Sequence, residues 1–209
     1  MNLSVEDVKR WMHVSNQKIQ ENKEYLSELD QPIGDGDHGH NLGRGFEEVV
    51  KKIEREDYQE IGALMKDVAM TLISKVGGAA GPLYGTAFLK AADEWKGSPT
   101  ITEELLIQGL EAAVEGLRTR GKADRGEKTL IDVWVPVLDY IQKNDVQPIE
   151  LKEIAKEGMQ STNGMQAKKG RAAYFREAST AHIDPGAYSS YLLFEALYES
   201  VNIEEGAHD

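Results

Sequence analysis

Hydrophobic residues recur along most of this chain every three or four positions, with polar residues between them, which is the pattern of amphipathic helices. The first run extends from Val5 to Ile19, and Ser4 in front of it is a favourable N-cap residue. A short segment containing Tyr25 and Leu29 follows as a separate helical piece. Further helices are predicted at about 42–53, 61–73, 84–96, 103–118, 129–143, 150–166 and 186–200.

Strand-like sequence is confined to one short run. Val133–Val137 is rich in β-branched residues, but Pro136 interrupts it, and one broken run is too little for a sheet. No Pro/Ser-rich linker and no internal repeat divides the chain. We therefore expect an all-α protein that folds as a single domain over residues 1–209.

The loops between the predicted helices are unusually long. Glycines and polar or charged residues concentrate in four stretches, 30–41, 76–86, 119–128 and 170–186. Connections of about ten residues are longer than usual in compact domains, and long loops more often carry function. In an up-and-down bundle the four loops can lie together at one end, so we expect a functional site there.

The overall charge narrows the choice of partners. The net charge of −12 would repel a polyanion, and no basic patch overrides it, so nucleic acid is not an expected partner. No apolar run approaches the ~20 residues needed to cross a bilayer, and residues 1–6 do not resemble a signal peptide. The absence of cysteine suits a cytoplasmic protein. A protein with this negative charge can bind a nucleotide only if metal ions neutralise the charge of the phosphates locally.

The strongest chemical signal is the stretch from Asp30 to Asn41. Asp30, Asp35 and Asp37 are interleaved with glycines, which let the backbone fold tightly and leave room for a ligand. Carboxylates held this close repel one another unless a hard cation lies between them. Magnesium favours a few carboxylates together with phosphate oxygens and water, so the stretch predicts one or two Mg²⁺ ions bound to a nucleotide.

The composition of this stretch also suggests three other interpretations. An EF-hand is excluded because the twelfth residue counted from Asp35 is Phe46 rather than a glutamate. A zinc site through His38 and His40 lacks a further histidine cluster to complete it. A solvated acidic turn remains open, since aspartate and glycine are ordinary loop residues.

The other glycine-rich loops carry weaker signals. The stretch 77–86 precedes a predicted helix whose N-terminal N–H groups would favour an anion, although tight helix packing explains its small residues equally well. It is not a Walker A loop, because the chain contains no Gly-Lys-Ser/Thr. Residues 120–129 form either a nucleotide cover or an exposed loop. In the fourth loop, Arg171 is suited to pair with phosphate, and Asp184-Pro185-Gly186 is typical of a turn.

Together, and in this order, the four loops resemble those of the L subunits of dihydroxyacetone kinase (DhaL). The resemblance covers essentially the whole chain. It rests on Gly34-Asp35-Gly36-Asp37-His38-Gly39, the run from Gly77 to Thr86, Gly126-Glu127-Lys128-Thr129 with Asp132-Val133-Trp134, Gly170-Arg171-Ala172 and Asp184-Pro185-Gly186.

The resemblance implies a fold and a set of site residues. The fold is an eight-helix, up-and-down, barrel-like bundle with the nucleotide bound by loops at one end. The family's metal and catalytic aspartates correspond to Asp30, Asp35 and Asp37, which would hold two Mg²⁺ ions. The family's ADP or ATP contacts correspond to His38, Gly39, His40, Asn41, Ala79, Ala80, Gly121, Leu130, Arg171, Asp184, Pro185 and Gly186.

Four positions depart from the family pattern. Ala80 and Ala173 stand where serine is common, Leu130 where methionine is common, and Ala178 where arginine is common. Loss of a hydroxyl at Ala80 removes a possible side-chain contact to phosphate, while the backbone N–H is retained. None of the four changes affects the three aspartates.

The resemblance also implies a function. It predicts phosphoryl transfer to dihydroxyacetone held by a separate K subunit, with the bound nucleotide rephosphorylated by an M subunit of the phosphotransferase system. Single-chain relatives that use ATP are much longer, so the length favours the multi-subunit form. Two alternatives stay open: a nucleotide-binding module of a related kinase, such as a fatty acid kinase, and a non-enzymatic regulator that binds nucleotide or metal.

Overall fold

The computed structural model describes residues 1–202, apart from the side chains of Arg171 and residues 176–178. Helices dominate the described part of the chain. They are α1 (Val5–Asp30), α2 (His38–Ile53), α3 (Ile61–Lys75), α4 (Ala80–Glu94), α5 (Glu103–Gly121), α6 (Ile131–Ile141), α7 (Pro148–Ser161), a 3-10 helix (Arg171–Ala181) and α8 (Pro185–Asn202).

The helices form a closed ring. Each α-helix packs against its neighbour in sequence, and α1 packs against α8, which joins the two ends of the chain. The predicted all-α, eight-helix, barrel-like bundle is confirmed. Because successive helices run in opposite directions, the N-termini of α2, α4, α6 and α8 lie at one end of the bundle. Two-residue strands, β1 (Leu3–Ser4) and β2 (Thr100–Ile101), pair antiparallel.

Helix α1 is longer than the hydrophobic pattern predicts. It is one continuous helix of 26 residues, so the predicted break before Tyr25 is wrong. The polar residues 20–24 are mostly good helix formers, and the helix passes through them without needing a buried face. The predicted N-cap is confirmed: the Ser4 hydroxyl accepts from the N–H of Asp7, and the Asp7 carboxylate accepts from the N–H of Ser4.

The strand-like run Val133–Val137 lies inside α6. Six of the first seven residues of this helix are buried, which explains why its sequence is apolar on every face. Pro136 lacks the N–H that would donate to the carbonyl of Asp132. Helix α7 approaches at this point, because Gly158 has no β-carbon to collide with that carbonyl.

Aromatic rings link the helices across the core. Trp11 meets Phe88 edge-on, Phe88 meets Trp134, and Trp134 meets Phe194, with ring centroids 5.3–6.3 Å apart. The indole N–H of Trp11 donates to the carbonyl of Leu193 at 2.8 Å. Such contacts hold α1, α4, α6 and α8 together beneath the loops. Among the described helices, none combines the length and the apolar character that a membrane crossing requires.

Candidate functional site

A cavity of ≈ 190 Å³ opens at the end of the bundle where α2, α4, α6 and α8 begin. All four glycine-rich stretches singled out in the sequence reach this end of the bundle. The cavity is lined by Asp30, Ile33, Asp35, Asp37, His38, Asn41, Gly77, Gly78, Ala79, Ala80, Leu83, Tyr84, Lys128, Thr129, Leu130, Lys169, Gly170, Ala172, Asp184, Pro185 and Gly186.

Three carboxylates converge on one wall of this cavity. Asp30 is the last residue of α1, and Asp35 and Asp37 lie in the loop before α2. One oxygen from each lies within 4.8 Å of one oxygen from each of the others. Burial raises the pKa of Asp37, and the neighbouring carboxylates of Asp35 and Asp30 raise it further. Carboxylates held this close together are suited to a cation that takes oxygen ligands.

The backbone of the loop is shaped around Asp30. Its Oδ2 accepts hydrogen bonds from the N–H groups of Gly36 and Asp37, at 3.0 and 3.2 Å. A β-carbon on Gly34 would lie 2.2 Å from the Asp30 carboxylate, so a larger residue there would displace this carboxylate. Gly36 has a φ of +71°, a left-handed conformation that glycine adopts without strain. The glycines therefore let the loop bring the carboxylates together.

The N-terminus of α4 is another part of the cavity lining. Its N-cap residue is Ala79, which has no side chain able to accept from the first-turn N–H groups. Gly78 precedes it with a φ of +67°, and Gly77 lies against the amide of Asn41. Uncapped N–H groups and the helix dipole make this end of α4 suitable for an anion facing the carboxylates.

His38 begins α2 and is neutral at physiological pH. Burial lowers its pKa to about 4, against opposing contributions from Asp30 and from the Pro185 carbonyl. Its Nε2 lies 3.1 Å from the Oγ of Ser189, which also contacts the Tyr84 hydroxyl at 2.6 Å. The ring is thus held by α8 and positioned as a hydrogen-bonding group rather than as a charge.

A second group of charges, made of Lys128, Asp132 and Asp184, lies at the N-terminal ends of α6 and α8, and the sequence predicted a role only for Asp184, as a nucleotide contact. The Lys128 ammonium is buried and donates to the carbonyls of Thr162 and His182. Burial raises the pKa of Asp184 to about 7, and it lowers the pKa of Lys128. Asp132 interacts with both groups electrostatically. A buried lysine has no signature in the sequence, because lysine is usually exposed in loops.

The first cavity continues into a second of ≈ 350 Å³, with which it shares Ala79, Leu83, Thr129, Leu130, Lys169 and Gly170. The additional lining residues are mostly apolar, namely Pro82, Leu117, Ala123 and Ile131, together with Arg120 and Gly121. The site therefore has a polar part between the aspartates and α4 and an apolar part beside α5. The two parts together fall in the size range of small-molecule sites, ~300–1,000 Å³.

Most of the predicted site residues meet at these cavities, and two of those that the structure describes do not line them. Gly39 is buried against the backbone of α1, and the His40 ring lies 3.5 Å from Glu24, so both stand outside the cavity lining. Arg171 begins the 3-10 helix, but its side chain lies outside the described residues. The same holds for the side chain of Ala178, one of the departures from the family pattern. Their roles remain predictions.

Comparison with known proteins agrees with this geometry. The profile of a family described as the DAK2 domain matches residues 32–199. A protein of Listeria innocua named as the ADP-binding subunit DhaL of a PEP-dependent dihydroxyacetone kinase is 46% identical over 91% of this chain and 94% of its own length. The corresponding subunit named PTS-dependent in Lactococcus lactis is 47% identical over 95% of this chain and 99% of its own.

A solved structure shares the fold. The dihydroxyacetone kinase of C. freundii, crystallised with AMP-PNP and Mg²⁺, superposes with a TM-score of 0.75 at 22% identity. The match covers 96% of this chain and 35% of that one, so this chain spans about a third of the C. freundii protein.

Proposed function

The chain belongs to the DAK2 domain family, and we propose that it serves as the ADP-binding subunit of a PEP-dependent dihydroxyacetone kinase. Bound ADP would act as a carrier that accepts a phosphoryl group and passes it on to dihydroxyacetone. The observation that carries the proposal is the pairing of three convergent carboxylates with the uncapped N-terminus of α4 across one cavity. A metal-bound diphosphate needs both features at once.

The carboxylates suit magnesium. Asp30, Asp35 and Asp37 offer only oxygen ligands, and burial together with the neighbouring carboxylates raises the pKa of Asp37. A divalent cation would relieve that repulsion, and phosphate oxygens and water would complete its coordination. When bound, magnesium would neutralise negative charge on the phosphates, including the charge that develops during transfer. We propose two ions, because three carboxylates exceed what one magnesium ion usually takes from a protein.

The chain's own groups would hold the phosphates and the base. The first-turn N–H groups of α4, after Ala79, would donate to the phosphates. Neutral His38 would add a hydrogen bond from the α2 side. The apolar part of the site, between Leu83, Leu117 and Leu130, would take the adenine ring. His40, Gly39, Asn41, Ala80, Gly121, Arg171 and Asp184 to Gly186 remain the other predicted contacts.

The acceptor would come from another polypeptide. The C. freundii kinase carries its matching region within a chain about three times as long, whereas the Listeria and Lactococcus relatives have the length of this one and are named as subunits. We propose that a K subunit presents dihydroxyacetone to the cavity and that an M subunit of the phosphotransferase system restores the nucleotide. A cytoplasmic location is part of the same proposal.

The nucleotide content of the purified protein is the first test. The protein would be denatured, and the small molecules released would be separated and identified by mass spectrometry. Near-stoichiometric ADP or ATP is the expected result. A protein that is empty and shows no thermal shift with ADP and Mg²⁺ would contradict the proposal.

Reconstitution tests the choice of phosphoryl donor. The protein would be combined with a K subunit and dihydroxyacetone, and supplied either with phosphorylated M subunit or with ATP alone. Sustained product formation with phosphorylated M and one turnover or less with ATP is expected if the nucleotide stays bound as a carrier. Equal sustained rates with ATP would show that the nucleotide exchanges.

A further inference from the structure

Residues 163–183 form a segment that covers the site between α7 and α8. Three of them, Lys169, Gly170 and Ala172, belong to the cavity lining. Inside the segment, the N–H of Gly164 donates to the Thr180 carbonyl at 2.9 Å, and the N–H of Ala167 donates to the Ser179 hydroxyl at 2.9 Å. The outgoing and returning halves of the segment are therefore joined to each other.

Both ends of the covering segment meet at one ammonium group. Lys128 Nζ donates to the carbonyl of Thr162, at the start of the segment, and to the carbonyl of His182, at its end. A second link lies beside it, where the N–H of Asp184 donates to the Thr162 hydroxyl at 3.0 Å. Thr162 is also the C-cap residue of α7, where a helix favours a positive charge.

The burial and the backbone conformation of Lys128 are both energetically unfavourable in themselves. Its side chain is 1% exposed, and removing an ammonium group from water is unfavourable unless hydrogen bonds and opposite charges compensate. Its φ of +60° lies in the left-handed region, where a residue other than glycine is strained. Asp184 and Asp132 supply the opposite charges. Strained residues with buried charges concentrate at functional positions.

We propose that Lys128 is a positioning residue that holds the covering segment closed over the cavity and thereby sets the rate at which bound nucleotide leaves. The nucleotide part of this inference rests on the proposed function. The closure part does not, since it concerns contacts within the chain. When the ammonium is removed, the two ends of the segment separate. The aspartate loop and the N-terminus of α4 keep the contacts that stabilise them, because those contacts do not involve Lys128.

Hydrogen exchange on the nucleotide-free protein tests the closure. In Lys128→Met, we expect the amides of residues 163–183 to exchange at least ~10-fold faster, with α1 to α5 unchanged. Lys122→Met is a matched control, because Lys122 also has a left-handed φ, +50°, but its side chain is exposed. Unchanged exchange in residues 163–183 of the folded variant would overturn the proposal, and so would an equal increase throughout the chain.

Nucleotide release tests the consequence. The dissociation rate of a fluorescent ADP analogue in Mg²⁺ is expected to rise at least ~10-fold in Lys128→Met and to stay near the wild-type value in Lys122→Met. Lys128→Arg, which keeps a cation with several donors, should recover part of the loss. A wild-type release rate in Lys128→Met would overturn the proposal, whereas failure of the wild-type protein to bind ADP would instead overturn the proposed function.

Thr162→Val provides a second route if Lys128→Met does not fold. It removes the hydroxyl that accepts from the N–H of Asp184 at the same junction and keeps the shape of the side chain. We expect a smaller increase in exchange, confined again to residues 163–183. An increase confined to α7, without the segment, would show that the junction does not control the closure.

Discussion

Gly39 lies so close to the main chain of α1 that a β-carbon on it would be 1.9 Å from the carbonyl oxygen of Lys23. This contact fixes the start of α2 against the last turns of α1. The aspartate loop runs between these two helices, from Asp30 to Asp37, so their separation sets the distance between its carboxylates. Gly39 thus shapes the cluster of carboxylates from outside the cavity.

Replacement of this glycine should disrupt the site. Gly39→Ala forces α2 away from a backbone atom that cannot rotate aside, and we expect a loss of about 1–3 kcal/mol in the free energy of unfolding. Binding of ADP in Mg²⁺ should weaken at least ~10-fold. Gly43→Ala is the matched control in the same helix, because its β-carbon would meet the Gln20 amide at 3.3 Å, the end of a flexible side chain. Denaturant titration and calorimetry measure both effects, and equal losses in the two variants would contradict this account.

Neutralising one carboxylate should separate metal binding from stability. In Asp35→Asn, we expect the metal-free protein to keep its free energy of unfolding within ~0.5 kcal/mol or to gain slightly, because a like charge is removed. The thermal shift produced by ADP and Mg²⁺ should disappear. Asp57→Asn, an exposed aspartate beyond the far end of α2, is the control and should retain the shift. A full Mg²⁺-dependent shift in Asp35→Asn would rule out the assignment of this residue as a ligand.

Filling the apolar part of the site should weaken binding of the adenine ring but not binding of the phosphates. A side chain at Gly121 would enter this space, since a β-carbon there meets only the Leu83 methyl group, at 3.3 Å. Gly121→Phe is therefore expected to weaken ADP binding at least ~10-fold. Pyrophosphate with Mg²⁺ should bind as in the wild type, which competition calorimetry can measure. Equal weakening of both ligands would mean that the adenine ring lies elsewhere.

Asp184 should make the stability of the nucleotide-free protein depend on pH. Burial is the main cause that raises its pKa from 3.8 to about 7, while the N–H of Ala187 and the Lys128 ammonium oppose the rise. The folded state therefore binds this proton more tightly than the unfolded state does. The resulting stabilisation is fully present below the unfolded pKa and is lost as the pH rises through the folded pKa, about 7.

A difference measurement isolates this contribution, because His38 acts in the opposite direction. The pKa of His38 is lowered from 6.5 to about 4, so its contribution to stability rises with pH in that range. We expect the stability of the wild type relative to Asp184→Asn to fall by more than ~1 kcal/mol between pH 5 and pH 8. Urea titrations without metal or nucleotide would measure it. A difference that is flat with pH would show that Asp184 is ionised throughout.

The sequence predicted the helices well where burial follows a helical period, and less well where it does not. The start of α1 was predicted because Ser4 and Asp7 cap it locally. The break before Tyr25 was wrongly predicted because residues 20–24 are polar and show no hydrophobic period. The buried residues before and after them stabilise one continuous helix. The strand-like run in α6 arose because a helix buried on nearly every side loses its amphipathic period.

The candidate site, too, was predictable from the sequence only in part. The aspartate loop was recognisable because its ligands and glycines lie within twelve consecutive residues, from Asp30 to Asn41. Lys128 was not recognisable, because its partners Thr162 and His182 lie 34 and 54 residues away in the chain. The packing of Gly39 against α1 was not recognisable either, while its predicted contact with the nucleotide stays a prediction.

The sequence by itself thus determined the helical class, the N-cap at Ser4 and the family, and it predicted the chemistry of the aspartate loop, because these depend on residue types at short separations. Only the tertiary structure decided which loops share a cavity, which glycines serve packing and which lysine is buried. Those properties depend on how helices distant in sequence close into a ring, since a contact between distant residues is set by packing of the whole chain rather than by local pattern.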